Sequence, residues 1–469
     1  MDGKVKSKKE GKRINAFLII FMVILFCYLL TLVLPSGEFN REVVNGRTSV
    51  VPGSFHSTVK KYLGPEYILR AIPNGLTSSA SMMFVVLMVA GCIEVYQQTG
   101  SINMLTAQLL KKSQKWGSEK ILVLIMIMFG CLGGFLGWNE QIVPFIPIII
   151  SLCLAMGYDV MVGIACSAMI DMISFSVSPS SVYTVGISDE IAELPMFSGF
   201  GYRLILLVVC VVIMMVYVLR YAKRVKTNPE LSYMKGIDDS EFRIDYSEVL
   251  EKKMSKNQLV SLLVFLGTFV VAIVGVSRKG WSMNDLAAAF LFAGIMGGIV
   301  CKMDANQIID AFLAGAKSGL GPALIIGLAR GIQWILTEGK AIDPVINMLS
   351  KPLGQMGTYG TPIAVMFIIT LFNGLVTSGS AKAMALMPIL IPLADLVGMN
   401  RQIMILAFQF GDGLTNSLWF TSGTLLMFLT IAKIPLKRWY KFIWKLIVIL
   451  FIFLIIALMV AVQINYGPF

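Results

Sequence analysis

The sequence is poor in charge and in histidine. Asp, Glu, Lys and Arg make up 14% of its 469 residues, whereas soluble proteins carry about 25%. His56 is the only histidine, which excludes a metal site with several histidine ligands. The seven cysteines form no CxxC pair and lie in or beside apolar stretches, where cysteine is an ordinary small apolar residue. Walker A and HExxH motifs are absent. We therefore expect no enzyme, no resident metal and no cofactor.

Long apolar stretches dominate what remains. Hydrophobic residues make up 57% of the chain, its mean hydropathy is +0.78, and roughly 20 apolar residues suffice to cross a bilayer. The pattern predicts an all-α polytopic membrane protein with about nine spans: 15–34, 78–98, 159–187, 200–221, 258–276, 286–301, 317–337, 401–430 and 441–465. The net charge of +12 comes from basic clusters at the ends of these spans. That placement follows the positive-inside rule and does not suggest nucleic-acid binding.

The positive-inside rule also predicts the orientation. Residues 1–14 are rich in Lys and Arg, so the N-terminus is expected in the cytoplasm. The protein itself is expected in the cell membrane. The later basic clusters fall on the same side only if the stretches 119–157 and 358–399 enter and leave as re-entrant hairpins. The C-terminus is then extracellular. Segment 36–75 becomes the main irregular extracellular piece, with a hairpin signal at Asn45-Gly46.

The two halves of the chain repeat at an offset of 241 residues (412 − 171 = 241). Gly133 then aligns with Gly374, and Asp171 with Asp412, in one frame that holds without a gap for about fifty residues. Each half has four spans and one hairpin, and the extra span 258–276 turns the second half upside down. Inverted repeats are frequent among secondary transporters, whose sites lie near the midplane between the repeats.

Polar residues collect at equivalent places in both halves, at each hairpin tip and in the span that follows it. Non-helical backbone survives at membrane depth only where protein buries it or a water-filled cavity receives it. Broken helices expose N-termini that attract carboxylates and C-terminal carbonyls that coordinate cations. The predicted substrate contacts are Asn139, Glu140, Gln141, Ser178, Ser180, Ser181, Thr377, Ser378, Ser380, Lys382, Asn416, Thr421 and Ser422. The residues predicted to support an ion or the helix breaks are Asp171, Ser174, Asp412 and Thr415.

The charges in these segments have competing interpretations. Glu140 could bind a cationic group or carry a coupling proton, or it could cap the hairpin helix. Asp171 and Asp412 could accept backbone N–H bonds at the breaks or contact the ligand. Lys382 could occupy a cation site, hold a substrate carboxylate, or pair with Glu140 or Asp412. For Arg330, structural pairing or snorkelling is the preferred interpretation.

Four segments carry a family resemblance: 37–55, 139–159, 182–203 and "LMPILIPLADLVGMNRQIMILAFQFGDGLTNSLWFTSG" at 386–423. They resemble the YfcC-like branch of the DcuC (C4-dicarboxylate carrier-like) family, within the ion-transporter superfamily. The resemblance implies a homodimer with a scaffold and a mobile transport domain that moves as an elevator. It places the cytoplasmic N-terminus at 1–14, the scaffold at 15–118 and 258–357, the transport domain at 119–222 and 358–469, and a cytoplasmic linker at 223–257.

The resemblance also implies the solute. The YfcC-like branch implies a basic amino acid, carried by arginine/ornithine-type exchange or by ion coupling, with sodium or protons as the coupling ions. The broader family implies the alternative, a cation-coupled carrier of an anion such as a C4-dicarboxylate. Two departures from the family pattern, Gln141 and Lys382, each remove negative charge from the hairpin tips. A passive channel or a non-transporting membrane scaffold is the third class, and paired hairpins at equivalent positions argue against a channel.

Overall fold

The computed structural model describes residues 16–44, 47–51, 53–244, 252–279, 281–350, 353 and 356–467. The predicted cytoplasmic N-terminus, 1–14, lies outside these ranges. The described chain is mostly helical. Its longer helices are Ala16–Val33, Glu66–Ser78, Ala80–Gln98, Ser101–Trp116, Phe200–Thr227, Lys256–Lys279, Met283–Val300, Ala305–Glu338, Ile342–Ser350 and Leu436–Gln463.

Eight of the described helices are long and apolar enough to cross a membrane. Six of them match predicted spans: 16–33, 80–98, 200–227, 283–300, 305–338 and 436–463. The other two, 118–136 and 379–396, each form one arm of a stretch predicted to be re-entrant. The chain is therefore a multi-pass membrane protein, as the sequence predicts.

Both stretches predicted as hairpins return to their starting point. Hairpin 1 (residues 118–155) runs through Ser118–Cys131, a π-helical turn Leu132–Leu136, a 3-10 turn Glu140–Phe145 and Ile146–Ala155. At its base, the hydroxyls of Ser118 and Tyr158 lie 2.8 Å apart. Hairpin 2 (residues 357–396) consists of Gly357–Asn373 and Gly379–Leu396. The hydroxyl of Thr358 donates to the carbonyl of Val397 at 3.1 Å, which closes its base.

The bases of the two hairpins lie at opposite ends of the molecule. The helix Phe200–Thr227 connects these ends, because its 28 residues span about 42 Å at 1.5 Å per residue. Lys226, near its C-terminus, donates to Ser118 at the base of hairpin 1 at 2.7 Å. Near the N-terminus of this helix, the hydroxyl of Tyr466 donates to the carbonyl of Gly199. The neighbouring residue Asn465 accepts a hydrogen bond from Asn400, which lies next to the base of hairpin 2.

Each hairpin is followed by a helix that breaks where the sequence predicts. Broken helix 1 comprises Val160–Ile164, a π-helical turn Ala165–Met169, Ile170–Phe175, a non-helical stretch at 176–181, a second π-helical turn Val182–Gly186 and Ile187–Ile191. Broken helix 2 comprises Arg401–Leu414, a 3-10 turn Thr415–Ser417, a non-helical stretch at 418–422 and Gly423–Ile431. Polar segments thus interrupt both helices at the predicted places.

Glycine lets the long helix Ala305–Glu338 approach its neighbours closely. A Cβ at Gly331 would lie 2.6 Å from the carbonyl oxygen of Ala71, and one at Gly315 would lie 2.4 Å from that of Ala90. Small residues at such contacts are the usual means of helix association in membranes, where apolar burial supplies no driving force between helices. The long helix therefore packs tightly on Glu66–Ser78 and Ala80–Gln98.

Three expectations about segment lengths are corrected. The helix predicted at 317–337 begins at Ala305, because Asp304 and Gln307 form a capping box there. The segment 36–75 is not irregular throughout, since its last part forms the amphipathic helix Glu66–Ser78. Ser101–Trp116 and Ile342–Ser350 are helices outside every predicted span, and their mixed composition hides them from a search for long apolar runs.

Two small antiparallel strand pairs lie in the first part of the segment 36–75. Gly37–Glu38 pairs with His56–Ser57, and Arg41–Val44 pairs with Arg47–Val50 in the register Val44↔Arg47. The two-residue connection predicted at Asn45-Gly46 itself lies outside the described residues.

Candidate functional site

The tips of both hairpins meet broken helix 2 and the long helix around a cavity of about 120 Å³, which we call the central cavity. Its volume is enough for several waters or a small solute. It is lined by Met82, Gly137, Asn139, Glu140, Gln141, Phe175, Tyr183, Met283, Ile326, Ala329, Arg330, Thr377, Ser378, Gly379, Ser380, Asn416, Ser422, Gly423 and Thr424. The sequence-predicted contacts among these are Asn139, Glu140, Gln141, Thr377, Ser378, Ser380, Asn416 and Ser422.

The tip of hairpin 1 contributes a carboxylate. Gly137, with φ +65°, turns the chain sharply after the π-helical turn. Gln141 stabilises the tip, since its side-chain oxygen accepts from the backbone N–H of Asn139 at 3.1 Å. Oε1 of the half-buried Glu140 accepts from the hydroxyl of Thr424 at 2.6 Å. This hydrogen bond joins the first hairpin tip to broken helix 2 across the cavity wall.

The second half contributes two helix N-termini. Ser378 caps the helix Gly379–Leu396, and its hydroxyl accepts from the N–H of Ala381 at 3.4 Å. Ser422 caps the helix Gly423–Ile431 in the same manner, accepting from Leu425 at 3.3 Å. Ser378 and Ser422 both line the central cavity. Unpaired N–H groups and the positive end of the helix dipole favour an anionic group at such positions.

Arg330, for which the sequence favoured structural pairing or snorkelling, was not among the predicted contacts. It lies on the long helix and lines the central cavity, where its Nη1 donates to Oε1 of Gln333 at 3.2 Å. Within the described part of the chain, neither Arg330 nor Glu140 forms an ion pair within 4.0 Å. The cost of a charge at membrane depth, the argument used for Glu140, could have drawn attention to Arg330 as well.

Broken helix 1 contributes less to the cavity than predicted. Ser178, Ser180 and Ser181 do not line it. The hydroxyl of Ser178 donates to the carbonyl of Gly134 and accepts from the N–H of Ser181 at 2.9 Å. Ser180 donates to the carbonyl of Phe135 at 3.0 Å. Ser178 and Ser180 therefore attach the break to the π-helical turn of hairpin 1. The buried hydroxyl of Ser181 has no hydrogen-bond partner within the described part of the chain.

Side chains from neighbouring helices satisfy the carbonyls at both breaks. Gln409 donates to the carbonyl of Ser178 at 2.7 Å. Trp439 donates to that of Ser417 at 2.9 Å, and Tyr440 to that of Leu418 at 2.8 Å. Each such bond removes an unsatisfied group from the apolar interior. These carbonyls are consequently engaged by protein donors, whereas sequence reasoning considered them as cation ligands.

Asp171 and Asp412 do not accept backbone N–H bonds, which corrects one of the two roles considered for them. Both lie within helical turns whose N–H groups are already used by the helix. The free N–H groups after the breaks are capped by serine hydroxyls instead. Asp412 is fully buried and forms an ion pair with the equally buried Lys382, which lies outside the central cavity. Asp171 is fully buried, and both of its carboxylate oxygens lack a hydrogen-bond partner.

The remaining predicted residues are also buried away from the cavity. Thr421 does not line it, and the hydroxyls of Thr421 and Ser174 have no hydrogen-bond partner. The hydroxyl of Thr415 donates to the carbonyl of Gly411 at 2.8 Å and accepts from Asn373 at 2.9 Å. Thr415 thus supports the break in broken helix 2.

A multi-pass helical chain with a polar cavity between broken helices is typical of membrane transporters, and comparison with known proteins agrees. The C4-dicarboxylate anaerobic carrier (DcuC) family model matches residues 15–463. The chain is therefore a membrane transporter and not an enzyme. It belongs to the DcuC family.

Two relatives match along nearly their whole length. One, from Escherichia coli (strain K12), is named "Putative basic amino acid antiporter YfcC"; it is 28% identical over 93% of this chain and 94% of its own. A Haemophilus influenzae protein described as uncharacterized is also 28% identical, over 94% of this chain and 95% of its own. The match is consistent with the YfcC-like branch of the family.

Two solved transporter structures are more distant. The YdaH transporter of Alcanivorax borkumensis matches 97% of this chain and 100% of its own, with a TM-score of 0.48 and 16% identity. MtrF of Neisseria gonorrhoeae matches 96% of this chain and 95% of its own, with a TM-score of 0.43 and 13% identity.

Proposed function

We propose that this transporter is a secondary active carrier of a basic amino acid, working by exchange or by coupling to sodium or protons. The observation that supports this proposal most is the charge inventory of the central cavity. It combines one carboxylate, Glu140, with one guanidinium, Arg330, and two helix N-termini. An amino acid presents the complementary set, a carboxylate and at least one ammonium.

The binding mode follows from this arrangement. Arg330 and the N-termini after Ser378 and Ser422 bind the α-carboxylate, since guanidinium and free N–H groups are the donors that carboxylates prefer. Glu140 binds the cationic side chain or the α-ammonium. Asn139, Gln141, Thr377, Ser380 and Asn416 supply neutral hydrogen bonds around the solute. The name of the Escherichia coli relative supports the choice of a basic amino acid.

In the proposed transport cycle, the two repeats are inverted and give alternating access to the central cavity. The hairpins have their bases at opposite ends of the molecule, closed by Ser118 with Tyr158 and by Thr358 with Val397. In this view hairpins and broken helices form the mobile transport domain, and the remaining helices form the scaffold of a homodimer. The N-terminus is cytoplasmic and the C-terminus extracellular.

Exchange assays in proteoliposomes test the substrate. Proteoliposomes that contain the purified protein are loaded with unlabelled arginine or ornithine, and their uptake of labelled arginine is measured. Glu140→Gln should reduce this uptake at least tenfold, because a lost charge-assisted contact of about 1.4 kcal/mol or more corresponds to that factor. Glu94→Gln is the matched control, since Glu94 hydrogen-bonds Gln98 at 3.1 Å and does not line the cavity. Unchanged uptake by Glu140→Gln, or no exchange by the wild-type protein, would contradict the proposal.

The presence of Arg330 favours a second candidate, an anionic solute such as a C4-dicarboxylate. One guanidinium and two helix N-termini in one cavity suit an anion. The sequence suggested Lys382 as the residue that binds the anion, but its ammonium is paired with Asp412. In this candidate, Arg330 binds the anion instead. In this case Arg330→Gln abolishes succinate uptake while Glu140→Gln leaves it intact. The opposite dependence on Glu140 separates the two candidates.

A further inference from the structure

The two halves treat their equivalent buried carboxylates differently. In the second half, Nζ of Lys382 forms an ion pair with Asp412 and donates to Oδ1 of Asn373, and Lys382 and Asp412 are fully buried. In the first half, Gln141 and Leu132 stand at the equivalents of Lys382 and Asn373 (382 − 241 = 141; 373 − 241 = 132). Gln141 uses its amide at the hairpin tip and does not reach Asp171.

The Lys382 cluster connects three parts of the second half. Asn373 ends the first arm of hairpin 2, and Lys382 lies in the first turns of the second arm. The amide of Asn373 donates to the carbonyl of Asp412 at 2.9 Å and to Oδ1 of Asn416 at 3.0 Å. Asn416 lines the central cavity. The ammonium therefore lies at the centre of the contacts that hold hairpin 2 and Asn416 in place.

Lys382 also borders a second, larger cavity of about 490 Å³, which we call the outer cavity. Paired charges surround it: Arg41 with Asp343, Lys61 with Glu338, and Lys340 with Glu38. The hydrogen bond from Lys340 holds the pKa of Glu38 below its ordinary value. Shortening Lys382 to alanine would extend this outer cavity towards the carboxylate of Asp412.

We propose that Lys382 is a covalently attached counter-cation, and that the space of its side chain beside Asp412 is a latent binding site for a small dissolved cation. A buried carboxylate is strongly unfavourable without a cationic partner. Attachment to the chain gives the ammonium a high effective concentration, so the site is filled whatever salt is present. Hairpin 2 and Asn416 thereby keep their positions without a dissolved ion. Lys382 is a positioning residue, and the proposal is independent of which solute is carried.

Thermal unfolding of the purified protein in detergent, without solute, tests this. Lys382→Ala is compared in equal concentrations of choline, sodium and n-propylammonium chloride, since propylammonium replaces the atoms removed from the side chain. In choline the unfolding midpoint should fall by roughly 5 °C or more, as expected for a broken buried ion pair. Propylammonium should restore at least half of the loss. Restoration by sodium as well would show that the site accepts any small monovalent cation. The wild-type midpoint should be the same in all three salts.

Two variants serve as matched controls. Lys382→Met fills the space without a charge, so propylammonium should not restore it. Lys61→Ala removes a lysine that borders the same outer cavity but is half exposed, and its midpoint should not depend on the cation. Equal midpoints of Lys382→Ala in all salts, or equal restoration of Lys382→Met, would overturn the proposal.

A double variant covers the case in which Lys382→Ala does not fold. Lys382→Met with Asp412→Asn removes both charges and should be more stable than Lys382→Met alone. A double variant that is no more stable than the single one would also overturn the proposal. Because no assay here uses transport, a failed amino-acid exchange experiment leaves these outcomes unaffected.

Discussion

The two halves of the chain share one pattern of hairpin and broken helix but use it for different purposes. The first half presents the carboxylate of Glu140, hydrogen-bonded by Thr424, to the central cavity and keeps its break at 176–181 out of the lining. The second half neutralises its carboxylate internally, Asp412 with Lys382, and presents two helix N-termini. The comparison teaches that a repeated backbone can present different groups to one cavity, a carboxylate from one copy and helix N-termini with a guanidinium from the other.

Replacing each of the two equivalent carboxylates by an amide should show the difference between the halves most clearly. Asp412→Asn leaves the buried ammonium of Lys382 without its counter-charge, so the free energy of unfolding should fall by about 3–5 kcal/mol. Asp171→Asn removes a carboxylate that has no hydrogen-bond partner, so stability should stay equal or rise. Thermal or denaturant unfolding in detergent measures both. Equal losses from the two substitutions would contradict the difference described between the halves.

Where the two broken helices cross, a side chain added to broken helix 2 should destabilise the protein. A Cβ at Gly413 would lie 2.3 Å from Cα of Ser176, where the two breaks meet. Gly413→Ala should therefore destabilise the protein by about 1–3 kcal/mol, the usual cost of overpacking. Gly321→Ala is the control, because nothing lies within 4 Å of the added atom there and alanine favours the helix. The prediction fails if both alanine variants unfold at the same temperature.

The hydrogen bond that joins the halves across the cavity should have the smallest effect. Thr424→Val removes the donor to Glu140, and we expect binding of a basic amino acid to weaken roughly tenfold. Stabilisation against heat at rising arginine concentration measures this affinity. Thr430→Val is the control, since its hydroxyl bonds Leu426 of its own helix at 2.7 Å. An unchanged affinity in Thr424→Val would show that Glu140 needs no support from the second half.

Sequence reasoning correctly predicted the features that follow from local composition. The breaks at 176–181 and 418–422 lie where Ser, Thr, Gly and Pro interrupt apolar runs, and both predicted hairpin stretches close on themselves. Eight of the thirteen predicted substrate contacts line the central cavity, and their binding of a solute stays a prediction. Amphipathic helices such as Ser101–Trp116 escaped prediction, since half of their surface is polar.

The sequence by itself determined that this chain crosses a membrane, where its helices break and that its halves repeat. These properties depend on runs of apolar residues and on the 241-residue offset between the halves, and both can be read without knowing which helices pack together. Only the tertiary structure decided that Lys382 pairs with Asp412, that Ser178 is satisfied by Gly134, and that Arg330 faces the central cavity. A buried polar group is governed by its partner, and the partner depends on which helices approach and how each one is rotated.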